Sequence, residues 1–290
     1  MSLQEFIPQP KFEDYKEQFK DHFILERRDD GVLKCQVHTL GGSWQLSVEN
    51  HRAFGQVFRT IASDSENEVM ILTGTGNTWL PGVDPEGFVL EKEQSKYWSY
   101  EYAYHDGRVN LQTLVNEIAF PTIGAINGPG GHMELCMMCD ITICTEDTVI
   151  IDPHFNMGSV PGDGVHSAFI EVLGIKRAAH ALLMGTPIDA KQALEWGMVN
   201  EVVPREKLMD RAYEIADHIM KQNRYVRRMT TQVLRRTWKR RLLEDLDSAF
   251  SHQMYAHVCS GKAYHTDDHI AKQTAAAFKN VDRKKDMQKK

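Results

Sequence analysis

Between Pro121 and Asp140 the chain reads PTIGAINGPGGHMELCMMCD, and this stretch limits the possible folds more than any other. Thr122–Ile126 is an uncharged run of the length of a buried strand. Asn127-Gly128-Pro129-Gly130-Gly131 ends it, because glycine and proline at this density are turn chemistry. Met133–Met138 is then apolar apart from Glu134 and free of breakers, which predicts a helix. Strand, glycine turn and helix make the first half of a parallel βαβ unit. The turn also offers the N–H groups of Gly130-Gly131 at the positive end of that helix, where anionic charge is stabilised.

The rest of the chain repeats the rhythm. Leu33–Leu40 alternates as a strand, Val48–Ala62 is an amphipathic helix, and Glu68–Thr73 is a strand closed by Gly74-Thr75-Gly76. Pro81-Gly82, Pro85 and Gly87 mark a loop, followed by an aromatic helical stretch from about Glu91 to Ile118. Ile141–Cys144 and Val149–Ile151 read as short buried strands. From about residue 165 the pattern turns helical, with segments near 165–173, 176–184 and 189–195, a last strand at Met198–Val203, and helices over 205–222 and 224–257. Residues 1–30 read as a helix or an extended arm, and Asp282–Lys290 as a solvated charge run. The fold class is therefore α/β, with residues 1–204 as the core and 205–290 as a helical C-terminal region.

Composition excludes several functions. A net charge of −6 gives no electrostatic reason to expect nucleic acid. No apolar run approaches the roughly 20 residues that span a bilayer. The start of the chain lacks a secretory pattern, and five cysteines over 290 residues do not form a disulfide framework, which points to the cytoplasm. Cys136-x-x-Cys139, inside an apolar segment, reads as core. Thirteen histidines form no recognised metal signature, and no dinucleotide fingerprint follows a strand, so neither metal nor cofactor is expected.

Three segments together resemble the crotonase (enoyl-CoA hydratase/isomerase) superfamily: ILTGTGNTWLPGVDPEGF at Ile71–Phe88, the Pro121–Asp140 stretch, and DPHFNMGSVPGDG at Asp152–Gly164. His180–Pro204 fits the family's closing region. The resemblance implies a spiral of ββα turns with C-terminal helices that build a homotrimer or a dimer of trimers. It implies oxyanion-hole amides at Val83 and Gly131. Family hydratases use two glutamates. Glu134 matches the first, and the second falls at His154. The run HFNMGSVPGDGVH from His154 to His166 is similar instead to family members that hydrolyse the carbon–carbon bond of a β-diketone without coenzyme A.

Such cleavage needs an activated water, a stabilised oxyanion and a stabilised enolate. A histidine suits the first task because it titrates near neutrality, and a carboxylate suits its orientation. The resemblance assigns these parts to His154 and Asp163. Spacing alone leaves a second reading open, in which His154 caps a turn and Asp163 makes an Asx turn. His132, at the mouth of the predicted helix, is the expected enolate donor, in neutral form because a helix N-terminus disfavours the imidazolium. Glu134 is a candidate for catalysis or a residual family carboxylate. Trp44, His51 and Gln253 are candidate substrate-binding residues. The expected partner is a small diketone; the alternative is a coenzyme A thioester handled by Glu134, Asp163 and the glycine turns.

Overall fold

The structure, a computed structural model, describes residues 8–84, 86–87 and 98–260. The predicted aromatic stretch before residue 98 and the charged tail lie outside the described residues. A six-stranded sheet carries the molecule, in the order β1-β2-β3-β4-β5-β8, with β1 Phe23–Arg27, β2 Val32–Val37, β3 Val69–Gly74, β4 Thr122–Ile126, β5 Ile141–Thr145 and β8 Glu201–Val203. All neighbours run parallel except β1 and β2, which pair antiparallel. β6 Val149–Ile150 and β7 Ile188–Asp189 form a separate antiparallel pair, so the segment expected at Val149–Ile151 lies outside the main sheet.

β3 explains the continuous apolar strands: all six of its residues are buried, as parallel strands covered on both faces require. Alternate side chains point to opposite faces. Val69 and Ile71 pack with Leu208, Ala212, Ile215 and Ala216 of a helix at Leu208–Met220. Met70 and Leu72 join the larger core, which includes Phe54, Val57 and Phe58 of a helix at Val48–Ser63. Chain order gives the described α-helices as α1 Phe12–Gln18, α2 Val48–Ser63, α3 Asp106–Gln112, α4 Glu134–Met137, α5 Val165–Met184, α6 Ala190–Glu195, α7 Leu208–Met220, α8 Arg224–Leu234 and α9 Arg236–Cys259. None of the described helices is long and apolar enough to cross a membrane.

Helix breaks follow local causes. α5 is interrupted at Gly174, whose φ of 72° only glycine adopts readily, so the two predicted helices abut there. The single helix expected over 224–257 is instead α8 and α9, divided at Arg235. Arg235 is 1% exposed and forks onto Asp140, Nε to Oδ1 at 2.9 Å and Nη2 to Oδ2 at 2.6 Å. It also donates to the carbonyls of Ile118 and Phe120 and to Thr122 Oγ1. Asp140 Oδ2 accepts from Thr122 N at 2.7 Å. One buried guanidinium thus ties the C-terminal helices to the start of β4, the strand that delivers the glycine turn.

Removing Arg235 strands the Asp140 carboxylate inside the protein. Arg235→Met is expected to cost about 3–5 kcal/mol in denaturant unfolding, with most of that loss recovered when Asp140→Leu is added. A single-mutant loss below about 1 kcal/mol would contradict the anchoring role.

Candidate active site

The glycine turn is fixed by close backbone approach. Gly130 has no room for a side chain, since a Cβ there would lie 2.4 Å from Leu80 N. Gly130 N–H donates to Val149 O and Gly131 N–H donates to Leu80 O at 3.1 Å. The last bond corrects an expectation: the Gly131 amide is committed to the backbone and is not free to receive an oxyanion. Val83 bridges to Leu46 in parallel fashion, with Leu46 N donating to Gly82 O and Asp84 N to Leu46 O. Among the described residues the Val83 N–H has no acceptor.

Immediately after the turn, His132 adopts a φ of 48°, in the left-handed region that side chains other than glycine seldom occupy. Its carbonyl accepts from Trp79 Nε1 at 3.2 Å, which helps hold it there. The ring there meets Glu134, two residues on in α4, and Asp163 on another loop. Its Nδ1 lies 2.9 Å from Glu134 Oε1 and 3.6 Å from Asp163 Oδ2. The helix behind it, α4, has only four residues, shorter than expected and with little dipole to offer.

The DPHF loop supplies the second histidine. His154 Nδ1 meets Asp152 Oδ1 at 2.6 Å, and its Nε2 meets Asp163 Oδ2 at 3.1 Å. Backbone bonds from Met157 and Ser159 to the His154 carbonyl pin the loop. Asp163 stands just before α5, where its Oδ1 also accepts from Val165 N at 3.5 Å, so one carboxylate both pairs with histidine and makes the local turn. The two imidazoles meet edge to face, with centroids 5.6 Å apart.

The five side chains form one charge cluster, with Glu134, Asp152 and His154 buried and His132 and Asp163 half-buried. Burial pulls the His154 imidazolium down, but the Asp163 and Asp152 carboxylates outweigh it and hold the group well above its usual value. Burial likewise opposes the His132 charge, and Glu134 with Asp163 overcomes it to raise the group to about 9. The neighbouring carboxylates therefore favour the imidazolium at His132, against the neutral form that a helix terminus would favour. Asp163 is raised by burial but held well below the ordinary carboxylate range by His154 and His132. With all five groups ionised, three carboxylates face two imidazolium ions. Burial pushes the Glu134 carboxyl upward, and the His132 imidazolium beside it pulls the other way.

A cavity of about 30 Å³ opens beside the cluster, lined by Trp44, His51, Asn110, His132, Glu134, Asp163 and the apolar side chains of Leu46, Phe54, Leu111, Leu135 and Phe250. That volume holds about two waters. Trp44 Nε1, His51 Nδ1, Asn110 Oδ1 and Glu134 Oε2, all on residues that line it, are buried without a partner among the described residues. Unsatisfied polar atoms converging on one cavity mark a ligand site. Burial depresses His51 to about 4, leaving it neutral. Gln253 does not line the cavity: it packs against Gly162, and Phe250, one turn earlier on α9, reaches the wall instead. Asp152 and Asn110 were missed from the sequence. The Asp-x-His spacing could have flagged Asp152, whereas Asn110 lies in a helix with no local signal.

These shifts set a pH dependence of stability. The folded chain holds the His132 proton more tightly than the unfolded chain, so this stabilisation is complete below about 6.5 and is lost as pH rises through about 9. His51 has the opposite sign: the unfolded chain takes up a proton that the folded chain refuses, so stability falls as pH drops from about 6.5 toward 4. The denaturation midpoint should therefore peak near neutrality. His132→Asn should flatten the alkaline limb and His51→Asn the acidic limb; limbs unchanged in both variants would contradict the assignments.

Comparison with known proteins agrees with this architecture. Residues 31–275 match the enoyl-CoA hydratase/isomerase family. A β-diketone hydrolase from the cyanobacterium Anabaena, solved with (S)-3-oxocyclohexyl acetic acid bound, is 33% identical, with a TM-score of 0.80 over 88% of this chain and 100% of that one. A hydroxycinnamoyl-CoA hydratase-lyase of Pseudomonas fluorescens is 26% identical over 217 residues, 73% of this chain and 79% of that protein. The fatty acid oxidation complex subunit alpha of Shewanella frigidimarina is 28% identical over 200 residues, and this chain spans 28% of its length. The chain belongs to the enoyl-CoA hydratase/isomerase, or crotonase, family.

Proposed function

We propose that this protein is a cofactor-free hydrolase that cleaves the carbon–carbon bond between the two carbonyls of a β-diketone. The observation that carries the reading is the Asp152–His154–Asp163 chain, with Asp163 on the wall of a cavity that also holds the His132 ring. The similar Anabaena hydrolase binds a molecule with one ketone and one carboxylic acid, the pair that hydrolysis of a cyclic β-diketone leaves.

Water in the cavity hydrogen-bonds to Asp163, whose position is held by His154 and, behind it, by Asp152. As the water oxygen adds to one carbonyl carbon, its proton passes to Asp163. A carboxylate stabilised by two imidazoles is a weak base, so much of the acceleration falls to donors that meet charge as it develops. The Nδ1 of the His132 imidazolium is engaged by carboxylates, which leaves Nε2–H for a substrate oxygen. Trp44 Nε1–H is a second unpaired donor on the same wall. Collapse of the tetrahedral alkoxide breaks the carbon–carbon bond and sends its electron pair to the second carbonyl as an enolate. Protonated Glu134 delivers a proton to the enolate carbon from Oε2, which gives a ketone and a carboxylic acid. His132 Nδ1, between Asp163 and Glu134, returns the water proton to Glu134 and resets the site.

A coenzyme A thioester reading draws on the hydratase relatives and on Glu134 at the cavity. It requires two backbone amides for the thioester oxygen, and the Gly131 amide is bonded to Leu80 O. That bond favours the diketone reading.

Purified protein should consume simple cyclic and linear β-diketones, followed by loss of their ultraviolet enolate absorbance, and should leave crotonyl-CoA unhydrated. Asp163→Asn should lower diketone turnover about 10²–10⁴-fold. Asp152→Asn should lower it less, through misorientation of His154. Hydration of crotonyl-CoA with diketones untouched would sink the proposal.

A further inference from the structure

The groups that hold protons in this cluster are also spaced as metal ligands. His154 Nε2 lies 3.1 Å and His132 Nδ1 3.6 Å from the same oxygen, Asp163 Oδ2, and the three residues offer donor atoms that all lie within 4.8 Å of one another. Donors bonded at about 2.0–2.1 Å to a tetrahedral ion stand roughly 3.3 Å apart. Glu134 Oε1, 2.9 Å from His132 Nδ1, is a fourth donor and a second oxygen at the same place. Asp152 on the far nitrogen of His154 is the outer carboxylate that metal-bound histidines ordinarily have, fixing ring orientation and tautomer. Water-sized guests reach the cluster through the adjoining cavity of about 30 Å³.

We propose that His132, His154 and Asp163, with Glu134 beside them, bind one zinc-class divalent ion, and that this ion inhibits the hydrolase. Two imidazoles with carboxylate oxygen select a borderline transition metal over magnesium or calcium, which take oxygen sets. The ion replaces the protons shared between these side chains. In doing so it occupies Asp163, removes the mobile proton from His132 and Glu134, and stops both ends of the reaction. The inhibitory half rests on the proposed hydrolase activity; the binding half does not.

The test uses full-length protein freed of metal by chelation and titrated with ZnCl₂ by calorimetry, and separately with CoCl₂ by visible spectroscopy. One ion per chain is expected, with the intense visible bands of tetrahedral cobalt. Asp163→Asn and His132→Gln should each weaken binding by at least about tenfold. Cys259→Ser, which removes the exposed thiol, should leave it unchanged. Far-UV circular dichroism verifies that each variant is folded. Diketone turnover should be full in the metal-free enzyme, lost on adding stoichiometric zinc and restored by chelator. Binding that is absent below millimolar metal, or that persists in both site variants, overturns the inference. Turnover that depends on zinc overturns the inhibitory assignment together with the cofactor-free reading. A metal-free enzyme inert toward diketones that still binds one ion through Asp163 overturns the hydrolase reading and the inhibition with it, and supports the binding site.

Discussion

A single oxygen, Asp163 Oδ2, sits between two imidazoles, 3.1 Å from His154 Nε2 and 3.6 Å from His132 Nδ1. Everything local to the site serves that contact. Three carboxylates and two histidines brought out of water would be costly singly. Together they satisfy most of one another's hydrogen-bonding groups, and the cluster persists because three separate loops hold it. The strained His132 backbone belongs to the same account: a left-handed φ turns the ring toward Asp163, and the Trp79 bond to its carbonyl offsets part of the cost.

The loops converge because of the sheet. β4 ends at the glycine turn, and open parallel sheets gather ligands outside the carboxyl ends of their strands. Asn127, the first residue beyond β4, donates to the carbonyls of Thr75, Gly76 and Thr78 and so clamps the loop after β3 against the turn. Arg205 adds bonds to the Asn127 and Asn77 carbonyls from the C-terminal side. At the opposite end of β4, Arg235 and Asp140 fix where the strand begins. The position of His132 therefore inherits its precision from two arginines far along the chain.

Much of this was legible in the amino-acid order. β4 is found at Thr122–Ile126 as expected, because an uncharged run closed by Asn-Gly-Pro-Gly-Gly has few alternatives. The pairing of His154 with Asp163 was expected from resemblance, and the two groups are in contact. Other features depend on contacts between distant segments, to which local pattern is blind. β1 was read as part of a helix or an extended arm because Phe23–Arg27 gains its strand character only by pairing with β2. The break at Arg235 has no glycine or proline; a buried ion pair with Asp140 accompanies it. The Gly131 amide looked free because its acceptor, Leu80 O, comes from another loop. A carboxylate 2.9 Å away favours an imidazolium at His132, and a helix of four residues supplies little field against it. Gln253 faced the right region, but the helical turn put Phe250 on the wall.

Charge balance limits which residues can stand at position 154. Family hydratases have a carboxylate there. A histidine in that place is not a one-residue exchange, because it removes a negative charge and can bring a positive one into a buried cluster. Asp152 supplies the missing carboxylate two residues earlier and holds the ring by its far nitrogen, so that Nε2 meets Asp163. Without Asp152 the second nitrogen would be an unpaired donor in a dry interior, a penalty of about 1–3 kcal/mol or more for a charged group. A histidine at position 154 is therefore sustainable only with its carboxylate partner in place, and one without an acidic residue two positions before it would not hold the same site.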